Sequence, residues 1–312
     1  MSATSIEPLV PHEEWRPAIL ETLRQSGVVD PDYALHVERW LEQMIRSARV
    51  IGLAGSQGSG KSTLSKCVAR LAETLLGHPA IVLSLDDFYL PKAERVALAD
   101  IHPLLVTRGV PGTHDATWLA ETIDRLTQGK SADIPLFDKG EDDRLPDVRR
   151  IDPVSFVIIE GWCVGARAEP LARLAAPLNL LEREEDSSGD WRHWVNDALG
   201  SAPYQKLSEV DLMIYLRPSD FDHVLNWRIE QEQRHNQGSQ QMNAASLKRF
   251  IAHYERISRW MMEELPSRAD HTLTLGADHE ILDSRVNQGR RTALVLAPPT
   301  HALGRVVDPA WR

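Results

Sequence analysis

Cysteine is scarce in this sequence: Cys67 and Cys163 are the only two among 312 residues. Their spacing matches no metal-binding motif, and two cysteines cannot build the disulfide framework of a small secreted protein. The cysteine content therefore favours a protein of a reducing compartment.

Long apolar runs are also missing. No stretch approaches the run of about 18 apolar residues that a membrane-spanning helix needs. The first twenty residues carry Glu7, Glu13 and Glu14 and lack the apolar centre of a signal peptide. We therefore expect a cytoplasmic protein without a membrane partner.

Basic residues do not predominate. Lys and Arg number 35 against 45 Asp and Glu, which gives a formal net charge of −10. Nucleic acid selects a basic surface, so this balance argues against a nucleic-acid partner, although a small anion can still bind a local basic pocket. With 42% hydrophobic and 26% charged residues, the composition is that of an ordinary globular protein.

Five short apolar segments alternate with segments of helical periodicity. The predicted strands are 49–55, 80–85, 154–160, 211–216 and 271–275, and the main predicted helices are 33–48, 61–76, 113–127, 191–208, 220–235 and 244–265. Strands that are apolar on both faces and alternate with helices indicate a parallel sheet covered on both sides. Ligands of such folds bind beyond the carboxyl ends of the strands.

The segment after the first predicted strand matches the phosphate-binding pattern GxxxxGK[ST] at every fixed position. Its glycines allow backbone N–H groups to surround phosphate oxygens, and the following helix adds its positive end. Lys61 would neutralise the β- and γ-phosphates of ATP, and the Ser62 hydroxyl would bind Mg²⁺. The predicted nucleotide site comprises Gly55, Ser56, Gln57, Gly58, Ser59, Gly60, Lys61, Ser62 and Thr63. This motif alone does not separate a kinase from an ATPase or a GTPase.

Acidic residues end the second and third predicted strands. Asp86 and Asp87 close one, and Glu160 closes the other. A kinase that acts on an alcohol needs a carboxylate that orients the hydroxyl and accepts its proton. Asp86 is the favoured base because it stands at the strand terminus; Asp87 stays an alternative, and turn formation is the ordinary role of such residues. Glu160 is expected to hold Mg²⁺ together with Ser62.

These features predict an α/β fold, namely a P-loop NTPase three-layer α/β/α sandwich with a mainly parallel five-stranded sheet. The predicted divisions are an N-terminal helical extension (1–48), a P-loop kinase domain (49–282) and a C-terminal tail (283–312) of unassigned structure.

Seven segments resemble the D-glycerate 3-kinase family, which is related to phosphoribulokinase, uridine kinase and pantothenate kinase. They are GSQGSGKST (55–63), SLDDFYL (84–90), TRGVPGTHD (107–115), IPLFDKGEDDR (134–144), IIEGWCVG (158–165), VNDALGSAPY (195–204) and NWRIEQEQ (226–233). The resemblance implies transfer of the γ-phosphate of ATP to D-glycerate, which gives 3-phosphoglycerate.

The resemblance also implies roles for individual residues. Asp86 would be the catalytic carboxylate beside Lys61, and Arg228 would be an arginine of a lid that closes over the phosphates, with Arg234 a weaker candidate. The acceptor pocket would be lined by Arg108, His114 and Asp115, with Lys139 and Arg144 close by. Two alternatives stay open: a related kinase for uridine, pantothenate or a sugar phosphate, and a nucleotide-switch ATPase that regulates a partner.

Overall fold

The computed structural model describes residues 7–235 and 244–287, and within them it contains ten α-helices and eight β-strands. The helices are α1 (Trp15–Gln25), α2 (Asp32–Arg46), α3 (Lys61–Leu76), α4 (Lys92–Ala97), α5 (Ala116–Thr127), α6 (Leu180–Glu185), α7 (Asp190–Gly200), α8 (Ala202–Lys206), α9 (Asp222–His235) and α10 (Ala244–Glu264). The strands are β1 (Val50–Gly55), β2 (Ala80–Ser84), β3 (Ala132–Asp138), β4 (Asp143–Ile151), β5 (Phe156–Gly161), β6 (Leu212–Pro218), β7 (His271–Leu275) and β8 (Ile281–Val286).

Six strands form the central sheet in the order β2-β5-β1-β6-β7-β8. The first five strands are mutually parallel, and they are the five that the sequence predicts. β8 adds an antiparallel edge that the sequence analysis missed. Every residue of β1 and β5 is buried, whereas most of β8 is exposed. An apolar run therefore marks the inner strands but not this edge.

Helices cover both faces of the sheet, which confirms the predicted three-layer α/β/α architecture. On one face the core includes Leu119 of α5, Val195 of α7 and Ile257 of α10. On the other face it includes Trp40 of α2 and Leu71 of α3. Burial of these large apolar side chains from both sides is the main force that holds a parallel sheet between its helices.

The two N-terminal helices belong to the second of these cores. α2 buries positions three or four residues apart, because that spacing keeps side chains on one face of a helix; they are Tyr33, Val37, Trp40, Leu41 and Met44. The core that they join also contains residues of β1 and α3. The predicted division at residue 48 stays a prediction, as does that at residue 282, which falls within β8. Residues 1–6 and 288–312 lie outside the described residues.

Two other expectations need correction. β3 and β4 form a separate antiparallel hairpin that the sequence analysis did not predict, because six of the nine residues of β4 are exposed and the strand shows no apolar alternation. The helix predicted over 191–208 is instead two helices, α7 and α8. Ser201 is extended between them, and Pro203 stands in the first turn of α8, where its missing N–H costs no helical hydrogen bond. No helix in 7–235 or 244–287 combines the length and apolar character of a membrane span.

Candidate active site

The phosphate-binding loop lies at the carboxyl end of β1 and leads directly into α3. Gly58 and Gly60 have φ values of +78° and +86°, which glycine adopts at little cost. A Cβ atom on Gly58 would lie 2.5 Å from the Cβ of Trp227, so the loop packs too tightly there for any side chain. At Gly60 the same direction is open space. The loop therefore packs against Trp227 at Gly58 and is open at Gly60, where α3 begins.

A hydroxyl and a carboxylate meet beside this loop. Ser62 Oγ donates to Glu160 Oε1 at 3.0 Å, and Glu160 Oε2 is buried without a hydrogen-bond partner. The register explains the contact, because Glu160 of β5 aligns with Leu53 of β1 on one side and Ser84 of β2 on the other. A buried carboxylate oxygen with no partner is unfavourable unless something binds it. The pair consequently fits a small, hard cation such as Mg²⁺, which takes oxygen ligands.

Asp86 stands just beyond β2, and both of its carboxylate oxygens have partners. Lys139 Nζ lies 2.7 Å from Oδ2, and the Tyr89 hydroxyl donates to Oδ1 at 2.8 Å. Burial acts to raise the pKa of Asp86, but the charges of Lys139 and Lys61 and these two hydrogen bonds outweigh it. The pKa of Asp86 therefore lies well below its ordinary value. Asp86 is therefore charged at physiological pH and lies in the field of Lys61.

Asp87 differs from its neighbour. Burial, reinforced by the negative charge of Asp86, raises the pKa of Asp87 to about 6. Lys139 and Arg149 act in the opposite direction, and Glu160 adds to the rise. The two adjacent carboxyl groups thus have separated pKa values, and Asp87 ionises at a higher pH than Asp86.

Arg108 lies against the aromatic rings of Tyr89 and Phe137. Its guanidinium carbon lies 5.9 Å from the ring centre of Tyr89 and 5.4 Å from that of Phe137. It forms a short ion pair with Asp142, which is in the left-handed region with φ +54°. The Tyr254 hydroxyl donates to the Arg108 carbonyl oxygen at 3.0 Å. These contacts hold a cation close to the tyrosine that binds Asp86.

His114 is buried and packs against Tyr89, with ring centres 4.7 Å apart. Burial lowers the pKa of His114 to about 4, so the ring is neutral at physiological pH. The Tyr204 hydroxyl accepts from the Gly112 N–H at 2.8 Å and forms a second hydrogen bond of 2.8 Å with His114 Nδ1. His114 is therefore a buried, neutral side chain beside Tyr89, and at this pKa it is unsuited to act as a base.

Asp115 and Arg144 have structural partners. Asp115 caps α5, because its Oδ1 accepts from the Trp118 N–H at 3.0 Å. Arg144 donates to the Tyr89 carbonyl oxygen at 2.8 and 3.2 Å, and its Nη1 lies 3.7 Å from Asp115 Oδ2. Together they fix the backbone of Tyr89, so they support the residue that holds Asp86.

Arg228 lies on α9, as expected, and its charge acts on the Tyr254 hydroxyl, as do the charges of Asp86 and Arg108. Its guanidinium donates to Gln231 at 3.1 Å and lies 5.8 Å from the ring centre of Phe250 on α10. The side chain of Arg234, the weaker candidate, lies outside the described residues.

Three contributors escaped the sequence analysis. Tyr89 was within a quoted motif, but its contact with Asp86 depends on the short helical turn over Leu85–Phe88 that returns the hydroxyl to the carboxylate. Asp142 and Tyr254 come from the β3–β4 hairpin turn and from α10, and nothing in their local sequence indicates Arg108 as the partner.

Two known proteins are similar to this chain in sequence. "Uncharacterized kinase mug58" of Schizosaccharomyces pombe is 34% identical over 197 residues, which cover 59% of this chain and 69% of the relative. "Probable ATP-dependent kinase TDA10" of Saccharomyces cerevisiae is 30% identical over 213 residues, which cover 63% of this chain and 71% of the relative. The chain belongs to this family of P-loop kinases. No family model matches it.

A solved structure has a fold similar to that of this kinase. D-glycerate 3-kinase from Cryptococcus neoformans superposes with a TM-score of 0.64 at 24% identity, covering 86% of this chain and 99% of the other. At this identity the likeness supports the fold alone. The predicted P-loop kinase relationship and the predicted enzyme class, an ATP-dependent phosphotransferase, are confirmed by these relatives. The roles of individual site residues stay predictions.

Proposed function

We propose that this kinase transfers the γ-phosphate of ATP to a hydroxyl of D-glycerate and releases 3-phosphoglycerate. The observation that carries the proposal is the position of Asp86. This carboxylate stays charged beyond the end of β2, in the field of Lys61 of the phosphate-binding loop and in contact with Lys139. A phosphate donor and a hydroxyl acceptor can therefore meet between Lys61 and Asp86.

The loop from Gly55 to Thr63 would hold the phosphates of ATP through its backbone N–H groups, and Lys61 would neutralise the transferring group. Ser62 and Glu160 would hold Mg²⁺, because Glu160 Oε2 is buried and lacks a hydrogen-bond partner. A cation held by these two residues would offset the negative charge of the phosphate groups. Arg228 would approach the phosphates on closure of α9, a role drawn from the family resemblance.

The region around Asp86, where the substrate alcohol would bind, combines positive charge with a carboxylate that accepts hydrogen bonds. Glycerate has a carboxylate, and the planar guanidinium of Arg108 matches that group in shape and charge. Lys139 adds a second positive charge beside Asp86. His114, Asp115 and Arg144 would line or support this pocket. The structural neighbour from Cryptococcus neoformans is a D-glycerate 3-kinase, which is consistent with glycerate as the acceptor.

Asp86 would orient the acceptor hydroxyl and take its proton as the new P–O bond forms. A carboxylate has lone pairs for more than two partners, so Asp86 can accept from the substrate while it keeps Tyr89 and Lys139. Because the transition state of phosphoryl transfer is loose, positioning of the hydroxyl contributes more than the basicity of Asp86. A low pKa is therefore compatible with this role.

An acceptor screen tests the proposal. Release of ADP is measured with D-glycerate, L-glycerate, uridine, pantothenate and ribulose 5-phosphate, each with ATP and Mg²⁺. We expect turnover with D-glycerate and a product that is phosphorylated at the 3-hydroxyl. Turnover with another alcohol alone would overturn the substrate and keep the enzyme class. Hydrolysis that ignores every acceptor and responds to a protein would favour the nucleotide switch. We retain a cytoplasmic location and a small-molecule partner as predictions.

A further inference from the structure

A cavity of about 430 Å³ lies against the phosphate-binding loop. Its walls come from four places: the loop with the start of α3, α9, the β7–β8 connection, and the α1–α2 connection. The last of these, residues 26–33, is referred to below as the N-terminal wall. The volume falls in the range of pockets that bind small organic ligands.

The sheet order places this cavity opposite the acceptor carboxylate. Asp86 follows β2, which lies two strands from β1 on one side. On the other side, Trp227 of α9 follows β6, and His279 follows β7. A triphosphate that lies along the loop with its terminal phosphate toward Asp86 therefore directs its nucleoside into the cavity.

The walls suit a flat, partly apolar ring. Trp227 and His279 stack with ring centres 4.7 Å apart and an interplanar angle of 24°. Val28 and Val29 of the N-terminal wall are among the lining residues, and Val29 is 87% exposed. A Cβ on Gly27 would meet nothing within 4 Å, as at Gly60 across the cavity. The space between these walls is thus open and bordered by apolar and aromatic groups.

Hydrogen bonds connect the N-terminal wall to the phosphate-binding loop. The Tyr33 hydroxyl donates to the His279 carbonyl oxygen at 2.9 Å, and the Ile281 N–H donates to Asp30 Oδ2 at 3.0 Å. His279, held in the left-handed region at φ +64°, places Nε2 2.8 Å from the Gly58 carbonyl oxygen. A carbonyl only accepts, so Nε2 is the donor. The wall therefore fixes the β7–β8 connection, which in turn contacts the loop.

We infer that the N-terminal wall forms the outer side of the nucleoside pocket and is a specific determinant of ATP binding. This inference rests on the proposed function, because it takes ATP as the ligand. It assigns the two N-terminal helices a part in the active site: they carry a surface that contacts the base and ribose, while the phosphates stay with the loop.

Two ligands distinguish binding in the nucleoside pocket from binding at the phosphate site. AMP-PNP, a non-hydrolysable ATP analogue, carries both parts, and inorganic tripolyphosphate carries only the phosphates. Calorimetric titration with Mg²⁺ gives the Kd of each for the wild type, for Val29→Asn, and for Leu171→Asn as a matched control. Leu171 is also exposed, at 66%, and is not among the residues that line the cavity. Thermal melts of each variant verify that it is folded.

We expect Val29→Asn to raise the Kd of AMP-PNP about three- to tenfold, since an apolar contact with the ligand is lost, and to leave the Kd of tripolyphosphate unchanged. Leu171→Asn should match the wild type with both ligands. In hydrogen–deuterium exchange of the wild type, AMP-PNP should slow exchange over residues 26–33, whereas tripolyphosphate should not.

Wild-type AMP-PNP affinity in Val29→Asn, equal weakening of both ligands, or no protection of residues 26–33 would each overturn the inference. Failure of the proposed function gives a different signature. In that case AMP-PNP still binds and protects the wall, but D-glycerate produces no ADP.

Discussion

Replacement of Tyr89 by phenylalanine tests how Asp86 is held. The hydroxyl of Tyr89 donates to Asp86 Oδ1 at 2.8 Å, while its ring packs against His114 and Phe137. Tyr89→Phe removes the hydrogen bond and keeps the ring, so the packing should survive. A hydrogen bond to a charged group contributes about 1.5–3 kcal/mol. If the bond must hold Asp86 during transfer, kcat/KM falls by about 10- to 150-fold.

The pH profile gives an independent reading of the same variant. The hydroxyl donates to the charged form of Asp86, so its loss raises the pKa of that carboxyl from its depressed value. The acid limb of kcat/KM should move to higher pH. Both quantities are measured by coupled ADP release with ATP and D-glycerate.

A double-mutant cycle decides whether Tyr89 acts through Asp86. In an Asp86→Asn background the hydrogen bond no longer supports a charged carboxylate. Addition of Tyr89→Phe should therefore lower kcat/KM by a further factor of less than three, which corresponds to about 0.6 kcal/mol. An equal loss in both backgrounds would refute the assigned role, since Tyr89 would then act independently of Asp86.

Three further predictions follow from neighbouring residues. Lys61→Ala should abolish activity and weaken ATP binding, because the Lys61 charge neutralises the phosphates, while thermal melts show an intact fold. An active variant would disprove the phosphate contact. Arg108→Lys should raise the KM for D-glycerate about tenfold or more and leave the KM for ATP unchanged, because a bidentate partner is lost; an unchanged glycerate KM would remove Arg108 from the acceptor pocket. The pKa of Asp87 is raised to about 6 by burial and by Asp86, so its contribution to stability is fully present below its ordinary value of about 4 and is lost as pH rises through 6. Asp87→Asn should therefore raise the melting temperature more at pH 8 than at pH 4, and a pH-independent difference would contradict this assignment.

The inner sheet and the phosphate-binding loop could be predicted because their signals are local. β1 and β5 are buried on both faces, so each appears as an apolar run, and α3 begins at Lys61 as the loop motif requires. The strand-end position of Asp86 and Glu160 follows from the same runs, since parallel strands present their carboxyl ends at one edge.

The rest depends on contacts between distant segments. Tyr33 and His279 are separated by 246 positions in sequence, and neither carries a motif that indicates the other. Asp142 reaches Arg108 only because the β3–β4 hairpin returns to the end of β2, and that hairpin lacks the alternation that reveals a strand. Asp115 and Arg144 were expected at the acceptor from a sequence resemblance. A helix cap and a contact with the Tyr89 backbone need three-dimensional geometry to be recognised.

The most direct test of the account is a single-turnover measurement on Asp86→Asn. Rapid-quench transfer of labelled γ-phosphate to D-glycerate is followed with saturating enzyme, and the Kd for ATP is measured on the same preparation. We expect transfer to slow by about 10²- to 10⁴-fold, because the amide can neither position the acceptor hydroxyl as the carboxylate does nor take its proton, with the ATP Kd within about twofold of wild type. Transfer at the wild-type rate would contradict the assignment of Asp86 as the carboxylate that receives the acceptor hydroxyl.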